Sequence, residues 1–145
     1  MKREEVIVLI KHRVEQAQTA LTDAQFLSDG NRSPQSIVNR SYYAMFYAAL
    51  ALMQNIGKVP SKHVGVISHF DKEFAAKEIF NRELSRDFHK AFEMRQVADY
   101  KIIEPVSREM AIQFDQFRFC QLAYVNLHGC LIFHSYGFQN SVRCK

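Results

Sequence analysis

The strongest structural signal in this chain is the stretch QSIVNRSYYAMFYAALALMQNI at residues 35–56. A helix at a protein surface shows a polar face, whereas this segment is apolar on nearly every side when it is wound as an α-helix. It therefore predicts a helix that is surrounded by other helices, at the centre of a bundle. Gly57 follows it directly, and a glycine suits the left-handed backbone that commonly ends a helix.

The segment before the central stretch has the pattern of a partner helix. Between Arg3 and Leu27, apolar side chains recur every three or four residues, which is one face of a long amphipathic helix. These side chains are Ile7, Ile10, Val14, Ala17, Leu21 and Ala24. The stretch Ser28–Pro34 has the composition of a turn and separates this helix from the central one.

Capping residues predict three further helices. Ser61 is placed to cap a third helix that runs to Phe74, and Asn81 to cap a fourth that runs toward Tyr100. Ser107 is placed to start a fifth. The sequence therefore predicts an all-α fold, an antiparallel up-and-down helical bundle of about five helices.

The composition excludes several classes of protein. The net charge of +4 comes from 19 basic and 15 acidic residues without a long basic run, so contact with phosphate is permitted but not required. The longest apolar run, Tyr42–Met53, is shorter than the roughly 20 residues that cross a bilayer, and the N-terminus is too charged for a signal peptide. We therefore expect a cytoplasmic protein without membrane contact. The three cysteines have no C-x-x-C spacing, so we expect neither a zinc site nor a disulfide framework. We also expect no metal and no cofactor.

The end of the chain differs from the rest. Residues 111–145 contain every cysteine and few charged side chains, so they lack the charged face of an amphipathic surface helix. We divide the chain into a helical bundle, residues 1–112, and a remainder of the fifth helix with an atypical C-terminal tail, residues 113–145. Three explanations of this tail stay open: packing into a partner subunit, an irregular extension, or non-native sequence after a frameshift.

Polar and aromatic side chains share one face of the central helix. Tyr43 and Tyr47 lie one turn apart, beside Asn39 and Arg40, while Tyr42 falls on the adjacent face. An aromatic stripe at helical spacing is more often core, with each phenol in one hydrogen bond. The functional interpretation is that an Asn, an Arg and two phenols on one buried helix are unusually many polar groups, each of which needs a partner.

A second cluster, Arg95-Gln-Val-Ala-Asp99-Tyr100, lies near the end of the predicted fourth helix. Arg95 and Asp99 are four residues apart, so the plain interpretation is an ion pair within the helix, worth about 0.3 kcal/mol.

The histidines are weaker candidates. His63 is expected to be an exposed or capping residue, and His69 and His89 to be satisfied surface or core histidines. Arg82 and His89 fit an Arg-x6-His spacing, but a spacing that loose occurs by chance.

Three blocks together resemble the HEPN domain family. They are NRSYYAMFYAALAL at 39–52, SKHVGVISHF at 61–70 and FEMRQVADY at 92–100, and their order and separation also match. The resemblance covers residues 5 to about 112. It implies a helical bundle that is commonly a homodimer, often encoded beside a minimal nucleotidyltransferase that acts as its antitoxin.

The family's active members are metal-independent ribonucleases with an Arg-x4-6-His motif that meets its copy across the dimer cleft. Here Arg95 matches the arginine, while Asp99 and Tyr100 stand where the histidine is expected. A phenol with a pKa of about 10 is a poor base at pH 7, so the motif is degenerate. Cleavage would have to recruit His63 or His89 from elsewhere.

The resemblance carries two roles over to this chain. The candidate catalytic residues are Arg95, Asp99 and Tyr100. The candidate residues for binding RNA or a nucleotide are Arg40, Tyr43, Tyr47 and His63.

Three functions stay open from the sequence. The first is the toxin-side component of a toxin–antitoxin or defence pair, which binds RNA or a nucleotide in a dimer cleft. The alternative is a non-catalytic helical protein-interaction module, in which the same residues form a buried polar network. A third option is that Tyr100 or Tyr43 accepts a nucleotidyl group from the partner enzyme.

Overall fold

The structure, a computed structural model, describes residues 2–100 and 105–127, apart from the side chains of Ala98 and Tyr100. Within these residues it is all-α and has no strand, as the sequence predicts. The helices are α1 (Arg3–Asp29), α2 (Pro34–Asn55), α3 (His63–Phe70), α4 (Arg82–Tyr100), α5 (Arg108–Ala111) and α6 (Gln116–Leu127). A π-helical turn, Asp71–Ala75, continues α3. Because α5 is a single turn, five of these helices are longer than one turn.

α2 lies at the centre of the bundle, in contact with α1, α3, α4, α5 and α6. Its fully buried positions include four alanines, Ala44, Ala48, Ala49 and Ala51. The helix ends at Asn55, and Gly57, two residues later, has the predicted left-handed backbone, with a φ of +73°. The N–H of Lys58 donates to the carbonyl of Met53 at 3.0 Å and that of Gly57 to Gln54 at 3.2 Å, which satisfies two of the last carbonyls.

α1 packs along α2 through the predicted apolar face. The buried positions of α1 are Ile10, Val14, Ala17, Ala20 and Ala24, and Ile7 and Leu21 are partly buried. The turn between the two helices is held by Arg108 of α5. Its guanidinium donates to Oδ1 of Asn31 at 3.0 Å and to the carbonyl of Ser28 at 3.1 Å.

Two predicted caps are confirmed. Oδ1 of Asn81 accepts a hydrogen bond from the N–H of Leu84 at 3.0 Å, at the start of α4. Oγ of Ser107 accepts one from the N–H of Met110 at 3.2 Å, at the start of α5. Both bonds satisfy an N–H that has no partner inside its own helix.

The prediction that Ser61 caps α3 is wrong. The chain stays extended through Lys62, and the helix begins at His63 without a side-chain cap. Pro60 lies so close to Gly65 that a Cβ there would be 2.9 Å from the proline ring. The loop therefore folds back onto the first turn of α3, and this packing delays the start of the helix beyond the serine.

α6 completes the core, although the sequence analysis assigned its residues to the atypical end of the chain. Phe119 is fully buried, and its ring centroid lies 5.1 Å from that of Phe70, 5.3 Å from Phe80 and 5.2 Å from Phe88. The thiol of Cys120 is buried as well and donates to the carbonyl of Ala44 of α2 at 3.4 Å. Burial raises the pKa of this thiol, so it stays protonated.

The remainder of the predicted tail, residues 128–145, lies outside the described residues, and so do Cys130 and Cys144. Across residues 2–100 and 105–127, no helix combines the length and the apolar character that crossing a bilayer requires.

Candidate functional site

The side chain of Arg95 reaches from α4 to the tyrosines of α2. Its guanidinium carbon lies 5.4 Å from the ring centroid of Tyr42 and 5.1 Å from that of Tyr43. Arg95 follows Phe88 and Ala91 at helical spacing, and both of these residues are fully buried, so it lies on the inward side of α4. A cation within about 6 Å of an aromatic face is attracted to the ring, by about 0.5–1 kcal/mol at an exposed site and more where water is excluded.

Arg95 is not fully satisfied by the described part of the chain. Its side chain is 19% exposed, and its Nε lies 3.5 Å from Oδ2 of Asp99 on the next turn. The charges attract at this distance, but Nε is buried and makes no hydrogen bond to any described residue. A buried donor without an acceptor costs about 1–3 kcal/mol.

Tyr42 and His63 form the inner part of the site. The hydroxyl of Tyr42 lies 2.8 Å from Nδ1 of His63, whose ring stacks on Phe46 with centroids 4.2 Å apart and planes 8° from parallel. Burial raises the pKa of the Tyr42 phenol, and the nearby charge of Arg95 offsets only part of this effect. Burial, followed by the charge of Arg95, lowers the pKa of His63. Both side chains are therefore uncharged at neutral pH.

Arg40 approaches the same group of rings from α2 itself. Its guanidinium carbon lies 5.3 Å from the ring centroid of Tyr43. Oδ1 of the neighbouring Asn39 accepts hydrogen bonds from Nε and Nη2 of Arg40, at 3.1 and 2.8 Å, which orients the guanidinium plane. A shallow groove of about 400 Å³ passes beside Asn39, Arg40 and Asp99.

We refer to Arg40, Tyr42, Tyr43, His63 and Arg95 as the Arg95 site. Four of these five residues were candidates from the sequence, and Tyr42 was not. Tyr42 had been placed on the adjacent, apolar face of α2, and it is indeed fully buried. The signal that could have identified it is the phenol itself, since a buried Tyr O–H nearly always has a hydrogen-bond partner.

The other candidates lie at the margin. Asp99 lies beside Arg95 and lines the groove. The ring of Tyr47 lies 5.5 Å from that of Tyr43, one turn farther along α2. Tyr100 is the last residue of α4, and its side chain is outside the described residues.

His89 and Arg82 line a different groove, of about 830 Å³, on the outward side of α4. There Nε2 of His89 lies 2.6 Å from Oδ2 of Asp71, and Oγ of Ser85 donates to Oδ1 of the same carboxylate at 2.6 Å. These bonds join the π-helical turn to α4. His89 therefore belongs to a network that is separate from the Arg95 site, and no sequence pattern had marked Asp71 and Ser85 as its members. In the described ranges, no three His, Cys, Asp or Glu side chains gather closely enough to hold a metal ion.

Comparison with known proteins identifies the family. The model of the HEPN domain matches residues 10–114, which include every residue of the Arg95 site. The chain belongs to the HEPN domain family. The resemblance inferred from three blocks of sequence is thereby confirmed.

Individual relatives of this HEPN protein come from bacteria and archaea. A "UPF0332 protein" of Thermotoga maritima is 38% identical over 92 residues, which are 63% of this chain and 69% of that protein. Two proteins of Methanocaldococcus jannaschii carry the name "Putative toxin". One is 34% identical over 107 residues, 74% of this chain and 76% of its own length. The other is 38% identical over 74 residues, which are about half of each chain.

Proposed function

We propose that this HEPN protein is the toxin-side component of a toxin–antitoxin or defence pair, and that it binds RNA or a nucleotide at the Arg95 site. The names of the two archaeal relatives support the toxin role. The binding role is supported by the chemistry of the site.

One observation carries the binding proposal: two guanidinium groups, of Arg40 and Arg95, lie over the ring of Tyr43, and the buried Nε of Arg95 has no hydrogen-bond acceptor among the described residues. A guanidinium presents several N–H donors in one plane, and this geometry suits the oxygens of a phosphate. Two such groups around one ring form a compact positive surface beside a groove. A phosphate-bearing ligand is the class that matches this surface best.

The same residues give little support to cleavage by the family's Arg–His mechanism. General acid–base catalysis works best with a group whose pKa lies near the operating pH. Burial moves the pKa of the Tyr42 phenol upward, away from neutrality. On α4, Asp99 and Tyr100 occupy the positions of the motif histidine. We therefore propose binding as the primary activity of this site.

Membership of the family supports three further proposals. The protein forms a homodimer that brings two Arg95 sites to one cleft, it pairs with a minimal nucleotidyltransferase as antitoxin, and it acts in the cytoplasm. Two copies of the site would double the positive charge that faces a single RNA strand, which strengthens binding to phosphates.

The test compares Arg95→Ala with Arg86→Ala, a matched control. Arg86 is an exposed arginine on the same helix that lines the outward groove instead. Growth is followed after induction of each variant, and the binding of labelled single-stranded RNA and of AMP is measured with purified protein. A hydrogen bond to a charged group contributes about 1.5–3 kcal/mol, so Arg95→Ala should bind each probe about 10- to 150-fold more weakly. Arg86→Ala should bind both probes with wild-type affinity.

Equal binding by wild-type protein and Arg95→Ala would refute the proposal. So would an equal loss in both variants, which would indicate only a general effect of charge. A loss of several kcal/mol of stability in Arg95→Ala, without a change in binding or growth, would support the alternative of a protein-interaction module held by a polar network.

A further inference from the structure

We propose that Tyr42 fixes His63 as a neutral hydrogen-bond donor, and that the Nε2–H of His63 binds an oxygen of the same phosphate group that Arg95 holds. This inference deepens the proposed function, on which the identity of the ligand rests. It assigns His63 to binding and not to proton transfer.

The first step concerns the direction of the hydrogen bond between Tyr42 and His63. Tyr42 is fully buried, and Nδ1 of His63 is the hydrogen-bond partner of its hydroxyl in the described residues. A buried O–H that does not donate loses its hydrogen bond to water without a replacement, which is unfavourable, so the phenol donates and Nδ1 accepts. The acceptor nitrogen carries no proton. A neutral imidazole in this arrangement therefore carries its proton on Nε2.

The second step concerns the charge of His63. A second ring proton would be placed on Nδ1, where it would face the hydroxyl of Tyr42 and deprive that hydroxyl of its acceptor. Among the described residues, the titratable and charged groups that pack against or act on the imidazole are Tyr42 and Tyr43 on α2 and Arg95 on α4. The cation among them repels a second positive charge. Both effects keep the ring neutral.

The third step concerns the position of the free ring edge. His63 is half-buried, and its ring is held flat against Phe46. Nε2 lies on the side of the imidazole away from Nδ1, and hence away from Tyr42. The centroid of the imidazole lies 6.0 Å from that of Tyr42 and 6.1 Å from that of Tyr43, and the guanidinium carbon of Arg95 lies 5.4 and 5.1 Å from the same two centroids, so both side chains border one pair of rings. Together they provide one charge and several donors, which matches the oxygens of a phosphate group.

The tautomer is tested directly by nuclear magnetic resonance. Long-range proton–nitrogen correlation spectra of ¹⁵N-labelled protein distinguish the two neutral tautomers and the cation of each histidine, and the His63 signals are assigned by their loss in His63→Gln. At pH 7 we expect the Nε2–H tautomer in the wild-type protein. Tyr42→Phe removes the donor but keeps the ring, and there we expect a mixture of tautomers and a raised His63 pKa. An Nδ1–H tautomer or a cation in the wild type overturns the inference and leaves the proposed function standing.

The ligand is tested by binding of single-stranded RNA and of AMP to folded variants. His63→Ala removes the hydrogen bond from the Nε2–H to the phosphate oxygen. The loss of one such bond should weaken binding about 2- to 12-fold, which corresponds to about 0.5–1.5 kcal/mol. His63→Gln, which keeps an N–H at a similar distance, should bind within about twofold of the wild type. Weaker binding of both probes would show that His63 contacts a phosphate group present in both RNA and AMP. Weaker binding of RNA alone would show that His63 contacts a phosphate of the RNA strand.

Wild-type affinity of His63→Ala for both probes overturns the inference. So does wild-type binding by His63→Gln together with the loss of RNA cleavage, because that result assigns proton transfer to His63. Failure of the wild-type protein to bind either probe overturns the proposed function and this ligand assignment together, while the tautomer spectra still decide the arrangement of Tyr42 and His63.

Discussion

Arg95→Met separates the charge of Arg95 from its bulk. Methionine keeps an unbranched apolar side chain about as long as the aliphatic stem of arginine, so the packing of that stem against the rings is largely retained. The variant loses the cation over Tyr42 and Tyr43 and the ion pair with Asp99. Each ring contact is worth about 0.5–1 kcal/mol and the ion pair about 0.2–0.5 kcal/mol, which makes about 1–2.5 kcal/mol in total.

A gain opposes this loss. The buried Nε, which has no acceptor in the described part of the chain, costs about 1–3 kcal/mol, and the substitution removes it. We therefore expect the free energy of unfolding to change by less than about 2 kcal/mol in either direction, or by a few degrees in Tm for a domain of this size. The pKa of His63 should rise, because a positive charge beside the imidazole is removed, but burial should still hold it below its ordinary value.

Urea denaturation measures the free energy of unfolding, and a titration followed by nuclear magnetic resonance measures the His63 pKa. Arg86→Met, on the outward side of α4, is the control and should change neither quantity. A loss of more than about 4 kcal/mol in Arg95→Met would show that the guanidinium is a fully satisfied part of the core. An unchanged His63 titration would show that the two side chains are not neighbours.

Two further predictions concern the fold. Phe119→Ala should lower the free energy of unfolding by about 3–5 kcal/mol, since it removes a buried ring at the centre of the aromatic cluster. The control Phe117→Ala removes an exposed ring and should change the free energy of unfolding by no more than about 0.5 kcal/mol. Equal losses in the two variants on denaturation would contradict the packing of α6. Oε1 of Glu73 lies 2.5 Å from Nζ of Lys58, and Oε2 lies 2.8 Å from Nζ of Lys77. These two hydrogen-bonded cations lower the pKa of Glu73 from 4.5 to about 2. The contribution of Glu73 to stability is therefore complete above pH 4.5 and is lost as the pH falls toward 2. Urea midpoints measured from pH 5 to pH 2 should therefore fall less steeply in Glu73→Gln than in the wild type, and parallel curves would refute the assignment.

The sequence was sufficient for those parts of the fold that depend on local periodicity. The apolar character of Gln35–Ile56 predicted the central helix, and Asn81 and Ser107 predicted two helix starts through the hydrogen bonds of their own side chains. Ser61 had the same capping chemistry, but the packing of Pro60 on Gly65 moved the start of α3. Such packing is a tertiary effect that a capping pattern does not contain.

The role of α6 was harder to predict for a similar reason. Its buried residues recur at helical spacing, at Phe119, Cys120, Ala123 and Leu127. The chain between α5 and α6 breaks the periodicity, and the scarcity of charge removes the usual contrast between two faces. The sequence therefore showed an apolar segment without showing that α2 and the aromatic cluster would cover it.

The candidate site was predictable in part. Residue spacing placed Arg40 beside Tyr43, and the resemblance to HEPN proteins selected Arg95, but neither gave the distance between α2 and α4. The bond between Tyr42 and His63 joins residues 21 positions apart. It depends on how the loop after α2 returns to the bundle, and no local pattern contains that path.

The enclosure of α2 has a consequence for the timing of motions in this protein. Backbone amides that are covered on every side exchange with deuterium only when the whole domain opens, so the amides of α2 should be among the slowest to exchange. Tyr43 and Arg40 are attached to that slow framework. A ligand that binds to these side chains contacts a backbone that already has its final conformation. Little backbone conformational entropy therefore remains to be lost there on binding.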